Sequence, residues 1–187
     1  DVCLSTIINQ KRFRDIRTLV LSGERGEESA ARAKYNIFEP DRADLRNGKC
    51  FIRHVDRFRP IRDWKEQQVW EIIKRYRVRV HPCYDMGWGR YSCRFCIFGN
   101  KNQFASAASI SPEQISRIIK LERDFGYTLK RNLSLPELIA MGCAYKNITP
   151  ELQRLVTSYN YEQAIILPAA EEWTLSSGVF RENCGAI

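Results

Sequence analysis

Two cysteines separated by two residues, Cys93 and Cys96, form the pattern in this sequence with the most distinctive chemistry. Their spacing lets both thiolates bind one tetrahedral metal ion, but it supplies only half of the ligands that a zinc or iron–sulfur site needs. The same pair also suits a redox-active dithiol or two buried structural thiols. All three interpretations stay open, because the donors that could complete a metal site are scattered along the chain: His81, Cys83, Cys143 and Cys184.

A second candidate is an anion site in the segment from 23 to 32. Residues 18 to 21 predict a strand, followed by a turn and then by a helix rich in alanine. Backbone N–H groups at a helix start attract anions, and arginine side chains match the oxygens of phosphate or sulfate. A capped surface helix with paired charges is the alternative, in which Glu28 forms an ordinary first-turn pair instead of orienting an arginine. The residues assigned to the anion site are Gly23, Arg25, Glu28, Ser29 and Arg32.

The charge balance favours anionic partners. Lys and Arg number 30 against 22 Asp and Glu, which gives a net charge of +8, and the excess is largely arginine between Lys11 and Arg94. Such a stripe attracts a nucleotide, sulfate or nucleic acid, or else it is a solvated basic face. The sequence has neither an apolar run of about 18 residues nor a secretory signal pattern, so we expect a cytoplasmic protein with no membrane segment.

Alternating strand and helix signals predict an α/β fold. A second strand is expected from 51 to 55, and a helix from about 64 to 76. The Gly-rich and aromatic texture after His81 predicts an irregular loop. Three more helices are expected to begin at Ser-Pro or Thr-Pro type signals, and a strand-like stretch from 164 to 167 follows them; the helix starts are Ser111, Ser134 and Thr149.

These signals predict part of an open, mainly parallel sheet flanked by helices, followed by a Cys-containing loop and a helical C-terminal subdomain. We expect residues 1–80 to belong to the α/β domain, and residues 81–187 to form the Cys-containing loop and the helical subdomain.

Three ordered motifs lie between residues 23 and 96. They are Gly23-x-Arg25-x-x-Glu28-Ser29-x-x-Arg32, then Arg59-Pro60-Ile61-x-Asp63-Trp64-x5-Trp70, then Pro82-x-Tyr84-x-x-Gly87-x-x-Arg90-x-x-Cys93-x-x-Cys96. Their combination resembles the phosphoadenosine phosphosulfate (PAPS) reductase family, within the adenine-nucleotide alpha-hydrolase superfamily. The resemblance implies a sheet with helices on both faces, and an adenylyl sulfate or ATP-like nucleotide whose phosphate or sulfate is held near residues 23–32. The anion contacts carried over are Arg25, Arg32 and Arg90, while Arg59 and Arg62 are expected to be free for contacts.

The sequence departs from the family pattern at two places. A Ser-Gly-Gly-x-Asp-Ser type loop, which wraps the nucleotide phosphates in family members, does not occur in this sequence. We therefore expect the C-terminal part of a PAPS reductase-like domain, inactive alone, whose loop comes from a missing N-terminal segment or a separate subunit. Reductases of the family also carry a Glu-Cys-Gly-Leu-His tail with a nucleophilic cysteine. Here Glu182 is followed by an inserted Asn183, and the resemblance offers Cys184 as the nucleophile.

Two classes of function follow. The first is sulfur chemistry on an adenylyl nucleotide, either thiol-driven reduction of an adenylyl sulfate or sulfur transfer onto a nucleic acid. The second is a basic module without catalysis, stabilised by a metal, that binds nucleic acid or a partner protein. Within the first class, salt dependence of nucleic-acid binding discriminates between the reductase and the sulfurtransferase, whose arginines would meet the nucleic-acid backbone.

Overall fold

The computed structural model describes residues 6–13, 16–49, 52–91 and 93–180 of the chain. These residues divide into two compact units, Asp1–Ile72 and Ile73–Ile187. The strands lie in the first unit, and most of the helices lie in the second. No helix in the described ranges is both long enough and apolar enough to cross a membrane.

The first unit contains a three-stranded sheet with the order β1-β3-β2. Strand β1 (Arg17–Leu21) pairs in parallel with β3 (His54–Phe58), and the short β2 (Phe38–Pro40) pairs with the other edge of β3 in the antiparallel direction. Val55 on the central strand is fully buried and packs with Ile8 and Ala43. The predicted mixed α/β class with a small open sheet is confirmed, since the longer of the two pairings is parallel.

The alanine-rich helix predicted after β1 does not form. Two 3-10 turns, Gly26–Glu28 and Arg32–Lys34, take its place, and Ser29 between them is extended with φ −169° and ψ 157°. Helix propensity in so short a segment does not repay the cost of nucleation. The backbone N–H of Gly26 instead donates to the carbonyl of Arg62 at 2.8 Å, a contact that an isolated sequence window cannot reveal.

Helix α1 (Glu66–Arg75) confirms the helix predicted from about 64 to 76. Trp70 on its inner face is 8% exposed, as its place in the periodic pattern predicts. The backbone N–H of Glu66, which has no partner inside the helix, donates to the Glu27 carboxylate at 2.6 Å. The side chain of Glu27 therefore fixes the start of α1 to the turn after β1.

In the second unit, a short helix α2 (Cys83–Met86) lies where the sequence predicts an irregular loop. Helix α3 (Lys101–Ile110) is also absent from the prediction, although Asn100 and Gln103 form a capping box at its start. The predicted starts of three helices are confirmed: α4 (Pro112–Phe125), α5 (Leu135–Ala140) and α6 (Pro150–Thr157). Residues 164–167 form no strand, and Ile166 makes only an isolated bridge to Val78.

The core of this unit is formed where α3, α4 and α5 meet. Four side chains from these helices are 6% exposed or less. The contacts among these helices fix the end of α3, where Ile110 lines the cleft described next. The four core residues are Phe104, Ile115, Leu135 and Leu138.

Candidate functional site

The predicted anion segment of the first unit holds arginines that already have carboxylate partners. Arg25 Nη1 lies 2.8 Å from Glu27 Oε2, and its Nε lies 3.5 Å from Glu28 Oε1. Glu28 also pairs with Arg32. Ser29 Oγ accepts a hydrogen bond from the backbone N–H of Arg32 at 3.2 Å. The expected helix N-terminus is missing here, so an anion would have to compete with two carboxylates of the segment itself.

Arg59 and Arg62 are not free, contrary to the expectation from the second motif. Arg59 is 5% exposed, and its Nε lies 2.6 Å from Glu24 Oε2 while its Nη1 lies 2.7 Å from Glu39 Oε1. Its guanidinium also lies 4.6 Å from the centre of the Tyr35 ring. Arg62 Nε donates to the carbonyl of Tyr35 at 3.1 Å. Both arginines therefore connect loops of the first unit to one another.

Arg59 lowers the pKa values of the two carboxyl groups that it contacts, those of Glu24 and Glu39. Burial opposes ionisation of Glu24, but hydrogen bonds from Arg59 and Ser22 outweigh it and hold the pKa of Glu24 below its ordinary value. The hydrogen bond from Arg59 lowers the pKa of Glu39 in the same direction. The network therefore works as an ion-pair cluster that stabilises the fold.

A cleft of about 250 Å³ in the second unit brings together two residues that the sequence assigns to different roles, Arg90 and Cys93. Most ligand pockets that enclose a whole small molecule measure about 300 to 1,000 Å³, so this cleft suits one end of a nucleotide. The described residues that line it include no carboxylate: His81, Cys83, Met86, Trp88, Arg90, Tyr91, Cys93, Arg94, Ile110 and Val156.

The turn after α2 shapes one wall of the cleft. Gly87 ends α2 with φ 116°, a conformation that side-chain-bearing residues rarely adopt. A Cβ atom at Gly87 would lie 3.2 Å from the Tyr145 ring, and that ring packs edge-on against Trp88 at 5.0 Å between centroids. Glycine at this position therefore sets the position of Trp88 in the cleft wall.

The arginines of the cleft differ from those of the first unit because they lack acidic partners. The Arg90 guanidinium forms no hydrogen bond or ion pair with any residue of the described ranges. Arg94 is held by neutral acceptors only: its Nη1 donates to Ser111 Oγ at 2.6 Å and to Gln114 Oε1 at 2.8 Å. Uncompensated guanidinium groups beside a cleft without carboxylates create a positive potential, which favours an anionic ligand.

His81 adds a neutral donor to the same cleft. Its Nδ1 accepts a hydrogen bond from the backbone N–H of Cys83 at 3.2 Å, and its ring lies 4.3 Å from that of Tyr91. Burial lowers the pKa of His81, so the imidazole is neutral near pH 7 and carries its proton on Nε2. The sequence predicts His81 only as a possible metal ligand. The turn into α2, which brings the backbone N–H of Cys83 to Nδ1 of His81, is not evident from the residues alone.

The Cys93 and Cys96 thiols interact directly. Loss of solvation and the neighbouring Cys96 raise the pKa of Cys93, and Arg90 opposes the increase. Burial, reinforced by Asp85, raises the pKa of Cys83 to about 12. At neutral pH both Cys93 and Cys83 are therefore thiols rather than thiolates, which are the form that attacks electrophiles and binds metals.

A metal centre is not completed by the residues that the structure describes. Nowhere in those ranges do three or more His, Cys, Asp or Glu side chains converge as a metal site requires. Cys93 and Cys96 supply only half of a tetrahedral zinc or iron–sulfur ligand set. Cys184, the nucleophile offered by the resemblance, lies outside the described residues.

Comparison with known proteins assigns most of the chain to one family. The family model of the phosphoadenosine phosphosulfate reductase domain matches residues 8–143. The chain belongs to the PAPS reductase family. The match includes the anion segment, Arg90 and the cysteine pair, so these candidate residues lie in the part of the PAPS reductase domain that this chain shares with the family.

Individual relatives support the same assignment. An uncharacterized 37.8 kDa protein of Escherichia phage 186 is 34% identical over 105 residues, which is 56% of this chain and 29% of the relative. The adenosine 5′-phosphosulfate reductase of Burkholderia cepacia is 30% identical over 76 residues, 41% of this chain and 27% of the relative. That of Allochromatium vinosum is 32% identical over 76 residues, 41% and 26% respectively. The chain thus spans less than a third of each of these relatives, and no solved structure matches it.

Proposed function

We propose that this chain binds an adenylyl sulfate through its sulfate and phosphate oxygens and takes part in thiol-dependent reduction or transfer of the sulfuryl group. The observation that carries the proposal is the position of Arg90, a cation without a carboxylate partner in the described residues, beside Cys93 in one cleft. Membership of the PAPS reductase family and the adenosine 5′-phosphosulfate reductases among the relatives support the substrate class.

The reductive form of this chemistry consumes two thiols. They become one disulfide and give two electrons to the sulfur of the adenylyl sulfate, which leaves as sulfite while adenosine monophosphate and two protons are released. A positive cleft lowers the energy of the anion as negative charge moves to the leaving group. The raised pKa of Cys93 makes it a poor first nucleophile, so Cys184 remains our candidate for the first attack, with Cys93 or Cys96 as the second thiol of the disulfide.

Neutral His81 gives the cleft a further donor for the bound group. Its Nε2–H carries no formal charge, so it can hold an oxygen of sulfate without adding to the repulsion between cations. In the predicted anion segment, by contrast, Arg25 and Arg32 lie against Glu27 and Glu28. We therefore propose the cleft, rather than residues 23–32, as the site for the sulfuryl group.

Calorimetric titration with adenosine 5′-phosphosulfate tests the proposal, with adenosine as the uncharged comparison. We expect the sulfate ester to bind and adenosine to bind much more weakly. Arg90→Ala should weaken binding of the ester by about tenfold, the value of one charge-assisted hydrogen bond. Arg123→Ala, which removes an exposed arginine of α4 remote from the cleft lining, is the matched control. Equal binding of both ligands, or no effect of Arg90→Ala, would show that the proposal is wrong.

A further inference from the structure

Three hydrogen bonds hold the Arg94 guanidinium. Its Nη1 donates to Ser111 Oγ at 2.6 Å and to Gln114 Oε1 at 2.8 Å, while its Nη2 donates to the carbonyl of Val156 at 3.3 Å. Ser111 follows α3, Gln114 lies in α4, and Val156 lies in α6. The α3–α4 junction and α6 therefore fix one guanidinium group, which removes most of the entropy that a free arginine loses on binding a ligand.

The three contacts leave part of the guanidinium available. Arginine has five N–H donors, of which Arg94 uses two on Nη1 and one on Nη2. Its Nε–H and the second Nη2–H have no acceptor among the residues that the structure describes. All three acceptors in use are neutral, so the positive charge of Arg94 is also uncompensated within those ranges. An arginine fork with two free donors is suited to two oxygens of one oxyanion.

Arg94 lines the same cleft as Arg90 and Cys93. The motif that carries the family resemblance leaves both positions between the two cysteines unspecified, so the sequence pattern gives Arg94 no role. Two cations, a neutral imidazole and no lining carboxylate fit a tetrahedral oxyanion better than a neutral or cationic ligand.

We infer that Arg94 is a second anion-binding residue of the cleft, which together with Arg90 holds a tetrahedral oxyanion such as inorganic sulfate or the sulfuryl end of an adenylyl sulfate. The inference rests on the proposed function for the identity of the natural ligand, but binding of inorganic sulfate tests it alone. Arg94 positions the anion beside Cys93, and its anchors at the α3–α4 junction and on α6 hold its guanidinium in place.

The experiment compares the binding of inorganic sulfate and of adenosine 5′-phosphosulfate to the full chain and to four variants. We expect Arg94→Gln to weaken sulfate binding by about tenfold or more, as loss of a charge-assisted fork predicts. Arg94→Lys keeps the charge but not the fork and should recover part of the affinity. Arg90→Ala should weaken binding to a similar extent, and Arg123→Gln, the exposed control in α4, should leave it within about twofold.

The outcomes separate this inference from the proposed function. Sulfate binding that depends on Arg94, with no binding of the adenylyl ester, would support the site and overturn the proposed substrate. Binding of both ligands that depends on Arg90 but not on Arg94 would overturn the inference alone. If Arg94→Gln fails to fold, nuclear magnetic resonance of the unmodified chain decides: the Arg94 Nε–H signal should shift on titration with sulfate, and an unchanged signal would overturn the inference.

Discussion

The Arg59 guanidinium and the Glu24 carboxylate meet at 2.6 Å, although the two residues follow different strands. Glu24 comes after β1 and Arg59 directly after β3, so the parallel pairing of these strands brings both residues to the same end of the sheet. Glu39, the middle residue of the antiparallel strand β2, lies 2.7 Å from Nη1 of the same guanidinium. One nearly inaccessible arginine therefore connects the segments that follow β1 and β3 to β2.

Removing Arg59 should destabilise the first unit strongly. Arg59→Met leaves Glu24 and Glu39 without their cation, and because both carboxylates are partly exposed, loss of these charged hydrogen bonds should cost about 1.5 to 3 kcal/mol of unfolding free energy. Urea denaturation followed by circular dichroism measures the change. The control is Arg123→Ala on the exposed face of α4, for which we expect less than about 0.5 kcal/mol. A loss for Arg59→Met as small as the control would mean that the ion-pair cluster contributes little.

The same ion-pair cluster should make the free energy of unfolding depend on pH in the acid range. The pKa values of Glu24 and Glu39 are lowered from their ordinary value of 4.5 in the folded state, so the unfolded chain binds protons first as the pH falls. Their contribution is complete above about pH 4.5 and is lost as the pH drops through the folded-state pKa values. Urea titrations between about pH 3 and 7 should show this decline in the parent and a shallower one in Arg59→Met. Parallel curves would contradict the assignment.

The sequence predicted those helices whose start signals are local. Ser111, Ser134 and Thr149 each precede a proline and a helix, because capping and a fixed φ angle act within one turn. The helix α3 was missed although Asn100 and Gln103 carry a capping-box signal, since the glycines and aromatics before them suggested a continuing loop. The helix expected after residue 29 was wrong, because a long-range bond from Gly26 to Arg62 holds that segment in turns.

The sequence identified residues of the candidate site but not which of the arginines are free to bind an anion. Arg90, Cys93 and Cys96 could be named from the motif, since their spacing is fixed in the chain. Whether an arginine is free depends on partners far away in sequence, as the Arg59 pair with Glu24 shows. The neutral anchors of Arg94 come from α4 and α6, which no local pattern connects to the cysteines. Whether an arginine can bind an anion is therefore decided by the fold and not by the motif.

Gly87→Ala should disturb the cleft more than a matched glycine substitution elsewhere. Both Gly87 and Gly126 end helices with positive φ, at 116° and 68°, but an added Cβ meets the Tyr145 ring only at Gly87. Gly126→Ala should cost about 1 to 2 kcal/mol, the usual penalty for the left-handed region. Gly87→Ala should cost at least about 1 kcal/mol more and should also weaken sulfate binding, since Tyr145 supports Trp88. Equal losses in thermal unfolding would exclude a steric role for Gly87.

Alkylation rates should separate the partly buried Cys83 from the exposed Cys143. Burial raises the pKa of Cys83 to about 12, so at pH 8 roughly one molecule in ten thousand carries the thiolate, the reactive form. Cys143 is exposed. In anaerobic alkylation with iodoacetamide, mapped by mass spectrometry of peptides, Cys143 should therefore be modified well before Cys83, and the difference should disappear in concentrated urea.

Adding sulfate to the same alkylation experiment tests whether the cleft binds an oxyanion. Cys93 lines the cleft with Arg90, whereas Cys143 is not among its lining residues. A bound oxyanion should slow alkylation of Cys93, both by covering the thiol and by opposing thiolate formation with its negative charge. The rate at Cys143 should stay constant, and Arg90→Ala should abolish the protection of Cys93. Protection at both Cys93 and Cys143 would show that sulfate acts on the whole chain instead of through the cleft. In the experiment without sulfate, alkylation of Cys83 as fast as that of Cys143 would show that Cys83 is not buried.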